Sequence, residues 1–186
     1  MNIFYLDHDV VKCAREHNDK HVVKMILEYG QLMSTAHRVL DGTSYIDKTA
    51  NDRKIKRWRL DDEREPVLWK ASHINHPSGV WTRANGFNYM WLRDLWLETL
   101  KEYTHRYGKT HSAERMKDLF AQSPKNISWN SKFYQPTPAM PDKYIVEGDS
   151  ITSYRNYYIG HKQHLASWKK REIPEWFTLE KTHADI

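Results

Sequence analysis

Polar side chains recur at helical spacing in the segment 19–40, within an otherwise apolar pattern. At about 100° per residue, these positions fall in one narrow stripe of a helix. The opposite side of the helix is apolar and is therefore expected to face a core. The stripe presents an acid, a base, two cations, an amide and a hydroxyl group, so we expect it to line a solvent-reachable cavity where chemistry takes place. Its members are His21, Lys24, Glu28, Gln31, Thr35 and Arg38.

A second group of candidate residues surrounds the expected start of a later helix, in the segment 73–83. Pro77 and Ser78 suit a helix start, with Ser78 as the N-cap. The first amides of a helix attract anions, and His73, His76 and Arg83 would add positive charge. A phosphate site and simple capping with a histidine hydrogen bond are both open here. A metal site at the two histidines is less favoured, because no cysteine pair or acidic loop accompanies them.

Two further segments, 143–146 and 153–158, mix cations with aromatic residues. Bases stack on such rings while cations neutralise phosphate. Helical spacing puts Tyr154 and Tyr158 on an apolar face, which predicts core positions for both. Arg155 and Lys162 lie seven residues apart on another face, and we expect them to contact an anion.

The composition limits the function classes. The chain has 186 residues and a formal net charge of +5, which is compatible with a polyanionic partner. It has no Gly-rich phosphate loop, no Gly-x-Ser-x-Gly elbow and only one cysteine, Cys13. These absences argue against a P-loop kinase, a dinucleotide-binding enzyme, a serine hydrolase of that type and a zinc deaminase. We expect no metal, no cofactor, no membrane span and no secretory signal, and hence a cytoplasmic protein.

The pattern of apolar residues and caps predicts an all-α fold in a single domain, 1–186. Expected helices run from a cap at Asp7 or Asp9 to His17, from Asn18 or Asp19 to about Leu40, from Ser78 to Tyr107 with a break, over 113–121, and from Asp149 or Ser150 to about Trp168. The charged insertion 47–65 is expected to be a solvated loop or mobile hairpin, or else a basic strip that contacts phosphates between Arg53 and Arg59. The proline-rich segment 123–150 is expected to wrap around the domain.

The stretch from Lys20 and His21 to Glu28 resembles the pyrimidine-dimer DNA glycosylases of the phage endonuclease V type. That family carries Gln-His-Leu-x-x-Glu-x-x-Glu on a helix, and aligning on the histidine puts Glu28 on the catalytic glutamate. The segment 102–111, Glu-Tyr-Thr-His-Arg-Tyr-Gly-Lys-Thr-His, is similar to the family's Arg-Gly helix end. The start Met-Asn-Ile-Phe-Tyr-Leu-Asp and the run Asp-Lys-His-Val-Val-Lys-Met resemble phage-encoded relatives of this family.

The resemblance implies a compact helical fold and a lyase mechanism. An α-amine, here that of Met1, would form a Schiff base at the deoxyribose C1′ as the base leaves. Glu28 would stabilise the charged sugar and move protons, and His21 would belong to the same catalytic group. The target nucleotide would be flipped out of the stack. The expected nucleotide- or phosphate-binding residues are Lys24, Gln31, Arg38, His73, His76, Ser78, Arg83, Arg155 and Lys162.

Three functions remain open from the sequence. The first is a DNA glycosylase and AP lyase that acts on a damaged or modified pyrimidine nucleotide in DNA. The second is a non-catalytic phage protein that sequesters a host nucleotide signal in the same basic, aromatic pocket. The third is a phage enzyme of nucleotide or base modification on the same scaffold.

Overall fold

The computed structural model of the chain describes residues 1–177. Helices dominate, and one pair of strands interrupts them. Helix α2 packs against α3 and α4, and α1 packs against α4. No helix within residues 1–177 combines the length and the apolar character needed to cross a membrane. The elements are α1 (Val10–Glu16), α2 (Asp19–Asp41), β1 (Thr43–Lys48), β2 (Lys54–Arg59), α3 (Pro77–Ala84), α4 (Gly86–Tyr107), α5 (Lys117–Ala121) and α6 (Ser150–Gly160), with 3-10 turns at Ser112–Met116, Asp142–Tyr144 and Gln163–Leu165.

The two helices at the start of the chain begin and end where their capping residues predict. Asp9 caps α1 by accepting hydrogen bonds from the amides of Val11 and Lys12. Asn18 caps α2 through the amide of His21, at 2.9 Å. Gly42 ends α2, and its amide donates to the carbonyl of residue 38 at 2.8 Å. These local hydrogen bonds explain why both boundaries were predictable from the sequence.

Later helix boundaries differ from the prediction. The N-cap of α3 is His76 rather than Ser78, because the His76 ring accepts the Ser78 amide and Pro77 occupies the first turn. His111 rather than Ser112 caps the turn that leads into α5. Helix α6 ends at Gly160, well before Trp168, where the ring of Tyr144 packs so closely that a Cβ on Gly160 would lie 2.3 Å from it.

The prediction of an all-α fold is wrong. The structure is 51% helical and also contains a two-stranded antiparallel sheet. Strands β1 and β2 pair from Thr43 with Arg59 to Lys48 with Lys54. A hairpin was one of the expectations for the segment 47–65, but its strands were not predicted, because a pattern rich in lysine and arginine with few apolar residues carries little signal for a strand with one open side.

The hydrophobic core joins the first residues of the chain to the last ones described. Ile3 and Leu6 have no exposed surface, and Phe4 and Tyr5 are each 4% exposed. Trp81, Trp96 and Phe120 add large buried rings from α3, α4 and α5, as the aromatic composition suggested. The tail packs against the same core through residues 168, 176 and 177.

Buried ion pairs tie the helices together at one end of this core. The Arg106 side chain is fully buried and donates to Glu102 at 2.9 Å, to Asp19 at 3.0 Å and to the carbonyl of Arg15 at 2.9 Å. Glu102 also accepts two hydrogen bonds from Arg171. The segment 102–111 therefore joins α1, α2 and α4 in this fold.

Candidate functional site

The first residues of the chain are held in a defined position. The backbone amide of Phe4 donates to the Tyr29 hydroxyl on α2, at 3.1 Å. The Tyr154 hydroxyl on α6 donates to the Asn2 side chain at 3.1 Å. Met1 itself packs against the core with part of its surface exposed. The α-amino group of Met1 therefore starts from an anchored backbone.

His76, at the start of α3, is influenced electrostatically by the amino terminus and by Glu28 on α2. Burial lowers the pKa of His76, and the positive charges of the amino terminus and His73 lower it further, whereas Glu28 raises it. The His76 Nδ1 accepts the amide of Ser78 at 3.1 Å. A neutral His76 consequently carries its proton on Nε2 and can donate it in a hydrogen bond.

Glu28 keeps its carboxylate available. Its closest ionic partner is Lys24 on the next turn of α2, with 3.7 Å between Nζ and Oε1. No hydrogen bond to the Glu28 carboxylate occurs among residues 1–177, and its side chain is 20% exposed. Gln31, one turn further along, is half-buried and also has no side-chain hydrogen bond in that part of the chain. Both groups are free to contact a ligand.

The end of α6 adds a cation and two aromatic rings. Burial lowers the pKa of Lys162, the charges of Lys24 and Lys20 lower it further, and Glu28 opposes the shift. The Lys162 ammonium lies 5.2 Å from the ring centre of Tyr157. Tyr157 in turn stacks on Tyr144, with 5.4 Å between ring centres. We call Met1, Lys24, Glu28, His73, His76 and Lys162 the amine–carboxylate cluster.

The turn that carries the two histidines is held by Arg83. The Arg83 Nη2 donates to the carbonyl of Ile74 at 2.5 Å, and the amide of His76 donates to the carbonyl of His73 at 2.9 Å. His73 has a φ of 50°, a left-handed conformation that is uncommon for residues other than glycine. Such conformations concentrate at functional sites. Burial lowers the pKa of Arg83, whose Nη1 is buried and has no hydrogen-bond partner among the described residues.

The other members of the predicted stripe form hydrogen bonds within the fold. His21 is 3% exposed, bonds to the Tyr158 hydroxyl at 2.6 Å and stacks on Phe4. Thr35 exchanges hydrogen bonds with the backbone of Ser72. Arg38 directs every nitrogen of its guanidinium to protein acceptors, which are Glu65 and the carbonyls of Trp58, Glu65, Leu68 and Trp69. These three side chains are not members of the amine–carboxylate cluster.

Two further predicted anion contacts lie apart from it or are hidden. Arg155 donates to the carbonyl of Leu6, lies 3.6 Å from Asp7 and covers the ring of Trp176. The Ser78 side chain is buried, and its hydroxyl has no hydrogen-bond partner within residues 1–177. The expected sharing of one face by Arg155 and Lys162 is not observed, because α6 ends before Lys162.

Two cavities lie away from the stripe, so neither is the cavity expected there. One of about 660 Å³ lies among Val10, Glu98 and Glu114, and one of about 320 Å³ lies beside His37 and Arg64. Glu28 lines neither of them. The cluster is instead an open, partly exposed surface. Within residues 1–177, no three His, Cys, Asp or Glu side chains are grouped so as to hold a metal ion.

No protein-family model, curated protein or solved structure matches this chain. Its function is therefore inferred from the side chains themselves.

Sequence reasoning did not single out three residues that border the cluster, although it placed Tyr144 and Tyr157 in segments that mix cations with aromatic residues. Lys20 contributes positive charge beside Lys162, and Tyr144 and Tyr157 contribute stacked rings. For Tyr157 a signal was present, since it lies off the apolar face that contains Tyr154 and Tyr158. Tyr144 sits in the irregular segment 123–150, where periodicity gives no information on which side chains meet.

Proposed function

We propose that this protein is a DNA glycosylase with AP-lyase activity, in which the α-amino group of Met1 is the nucleophile and Glu28 transfers protons. The observation that carries the proposal is the anchoring of the first residues to α2, the helix that carries Glu28, through the bond of the Phe4 amide to Tyr29 at 3.1 Å. The charges of the amino terminus and Glu28 also act together on His76. An amine and a carboxylate around one imidazole are the groups that imine chemistry at a sugar carbon requires.

The first step forms one bond and breaks another. The neutral amine attacks C1′ of the deoxyribose, and the bond between C1′ and the base breaks, so the base leaves with the electron pair and takes up a proton. Ring opening then gives the Schiff base. The Nε2–H of neutral His76 is suited to donate a hydrogen bond to an oxygen or nitrogen that gains negative charge in this step.

The second step is an elimination. The Schiff base acidifies the C2′ hydrogens, Glu28 removes one of them, and the bond between C3′ and the phosphate oxygen breaks. Water then hydrolyses the imine and releases the amine. Lys20, Lys24 and Lys162 would hold the phosphates on either side, because they supply the positive charge around Glu28.

The experiment is borohydride trapping on a duplex that contains one abasic site. We expect a covalent adduct with the wild type and a rate reduced at least about 10²-fold in Glu28→Gln. Glu98→Gln is the matched control, because Glu98 is 21% exposed and pairs with Lys101 at 3.0 Å, much as Glu28 pairs with Lys24. Its trapping rate should equal that of the wild type.

A second arm tests the nucleophile. Intact-mass measurement identifies the residue that carries the α-amine, and a protein with two extra residues before Met1 should lose the adduct while it keeps its melting temperature. Trapping that survives this extension, or that is unchanged in Glu28→Gln, would refute the mechanism.

The stacked pair Tyr144 and Tyr157 favours a second candidate, a non-catalytic binder of nucleotides. Lys162 over Tyr157 places a cation beside rings on which a base can stack. This candidate predicts no adduct, together with a strong rise in melting temperature in the presence of a small nucleotide. Tyr157→Leu should abolish that rise.

A further inference from the structure

The β-hairpin has two faces of different character. Residues that pair across an antiparallel ladder lie on the same side, and neighbours along a strand alternate between sides. The register therefore separates two sets of residues. The open face contains Ser44, Ile46, Lys48, Lys54, Lys56 and Trp58, and the covered face contains Thr43, Tyr45, Asp47, Ile55, Arg57 and Arg59.

The covered face packs against the segment that follows the hairpin. Arg57 donates to the carbonyl of Ala71, and Lys70 lies 3.8 Å from Asp47. The Arg59 guanidinium stacks over Tyr45 at 4.7 Å. These contacts orient the hairpin and leave its other face directed away from the segment 70–71.

The open face is positively charged and exposed. Lys48, Lys54 and Lys56 are all exposed, and Ile46 is 66% exposed. No acidic residue belongs to this face. The nearest carboxylate is that of Asp52 in the turn, 3.2 Å from the Lys48 ammonium and itself 81% exposed.

We propose that the open face of the hairpin binds the phosphate backbone of duplex DNA. Two residues along a strand span about 6.8 Å, so the spacing of Lys54 and Lys56 equals the rise of about two base pairs along the DNA helix axis, at about 3.4 Å each. A two-stranded ribbon also has the width that the major groove accepts. Trp58, beside Lys56 at 5.3 Å, adds an aromatic ring to the same surface.

The choice of DNA as the polyanion rests on the proposed function, whereas the electrostatic argument rests on the hairpin alone. An exposed surface with three lysines and no carboxylate would repel a basic partner and attract any dense row of negative charge. Among such partners, duplex DNA offers the regular phosphate spacing that the strand geometry matches.

The test measures the salt dependence of binding to a fluorescein-labelled 20-base-pair duplex by anisotropy. In Lys48→Gln/Lys54→Gln/Lys56→Gln, we expect the slope of log K against log[salt] to decrease in magnitude by about two to three, and the affinity at 0.1 M salt to fall about tenfold or more. The control is Lys109→Gln/Lys117→Gln/Lys132→Gln, which removes the same charge from exposed lysines that form no ion pair within residues 1–177. Circular dichroism melting of both variants confirms that the fold is intact.

A gain-of-binding variant sharpens the test. Asp52→Asn removes the carboxylate beside Lys48 and should raise the affinity about twofold. Asp52 has a φ of 60°, a conformation that asparagine also accepts, so the turn should persist. The slope should stay at its wild-type value or become steeper.

Several outcomes would overturn the inference. Equal losses in the two lysine variants would show that only net charge matters, and no loss in the hairpin variant would show that DNA binds elsewhere. Equal competition by polyglutamate or by duplex RNA of the same charge would remove the assignment to DNA. Wild-type binding through the hairpin without an abasic-site adduct would refute the lyase proposal and leave this inference standing.

Discussion

The two ends of the polar stripe on α2 have similar residue types but different environments: the polar groups are buried and hydrogen-bonded at one end and available to a ligand at the other. At the carboxyl end, Thr35 and Arg38 are 2% and 3% exposed, and their polar atoms bond to the segment 58–72. Nearer the amino end, after the buried His21, Lys24 and Glu28 pair at 3.7 Å, and Gln31 has no side-chain hydrogen bond within residues 1–177. We call these the sealed end and the open end of the stripe.

The difference comes from what lies across each end. At the sealed end, backbone carbonyls of the segment 58–69 accept hydrogen bonds from every nitrogen of the Arg38 guanidinium. At the open end, Glu28 interacts electrostatically with the ends of two elements, at His76 before α3 and at Lys162 after α6, and the amino terminus also acts on His76. Those ends bring charges and rings rather than carbonyls, so the polar groups of α2 remain available for a ligand.

The largest expected effect is at the sealed end. Arg38→Ala should lower the free energy of unfolding by about 3–5 kcal/mol, because several buried carbonyls and Glu65 lose their donor at once. Urea denaturation of the variant and the wild type measures this difference. Lys24→Ala at the open end is the control and should change it by less than about 0.5 kcal/mol, because that side chain is 58% exposed. Similar losses in both variants would contradict the contrast between the two ends.

The second largest expected effect is the dependence of the free energy of unfolding on pH. His37, beside the sealed end, accepts from Arg64 at 2.9 Å through Nδ1 and donates to the Tyr89 hydroxyl at 2.7 Å through Nε2. Burial and the charge of Arg64 lower the pKa of His37 from 6.5 to about 4. Between pH 6.5 and 4, the unfolded chain therefore binds a proton at this histidine that the folded chain does not bind. The contribution to the free energy of unfolding is full above pH 6.5 and is lost as the pH falls towards 4.

This loss amounts to about 1.4 kcal/mol per pH unit for each such histidine. His17, whose burial lowers its pKa to about 4, adds to the same slope. His37→Gln keeps an acceptor and a donor but cannot titrate, so the dependence of unfolding free energy on pH between 6.5 and 4 should become shallower by about one proton. An unchanged slope would mean that His37 already titrates in the folded protein.

The contrast between local and distant contacts also separates the features that the sequence could predict from those that it could not. The caps at Asp9, Asn18 and Gly42 act within a few residues and were predictable, as was the apolar side of α2. The sealing of Arg38 depends on residues 20 to 31 positions away, and helical periodicity contains no information about them. Only the family resemblance predicted a common site for the amino terminus and Glu28, which both act electrostatically on His76. Tyr144 and Tyr157 meet through an irregular segment, for which no periodic pattern exists.

The smallest effect concerns the open end. Glu28→Gln should change the free energy of unfolding by less than about 0.5 kcal/mol, since an exposed pair one helical turn apart contributes little. The same change should, however, strengthen the binding of inorganic phosphate, because Glu28 is the carboxylate that opposes the positive charge of Lys20, Lys24 and Lys162. The rise in melting temperature caused by phosphate, relative to sodium chloride of equal ionic strength, should therefore be larger in Glu28→Gln than in the wild type.

Glu98→Gln should leave this rise unchanged, and Lys162→Gln should reduce it. A ligand that binds only the folded state stabilises it according to its affinity, so the melting shifts rank the affinities for phosphate at the open end. If Glu28→Gln and Glu98→Gln gave equal shifts, phosphate would be acting through general salt effects, and the charges around Glu28 would not form an anion site. A melting shift that changes in Glu28→Gln and Lys162→Gln but not in Arg38→Lys would show that the two ends of the stripe have different roles. The open end would bind ligands, and the sealed end would stabilise the fold.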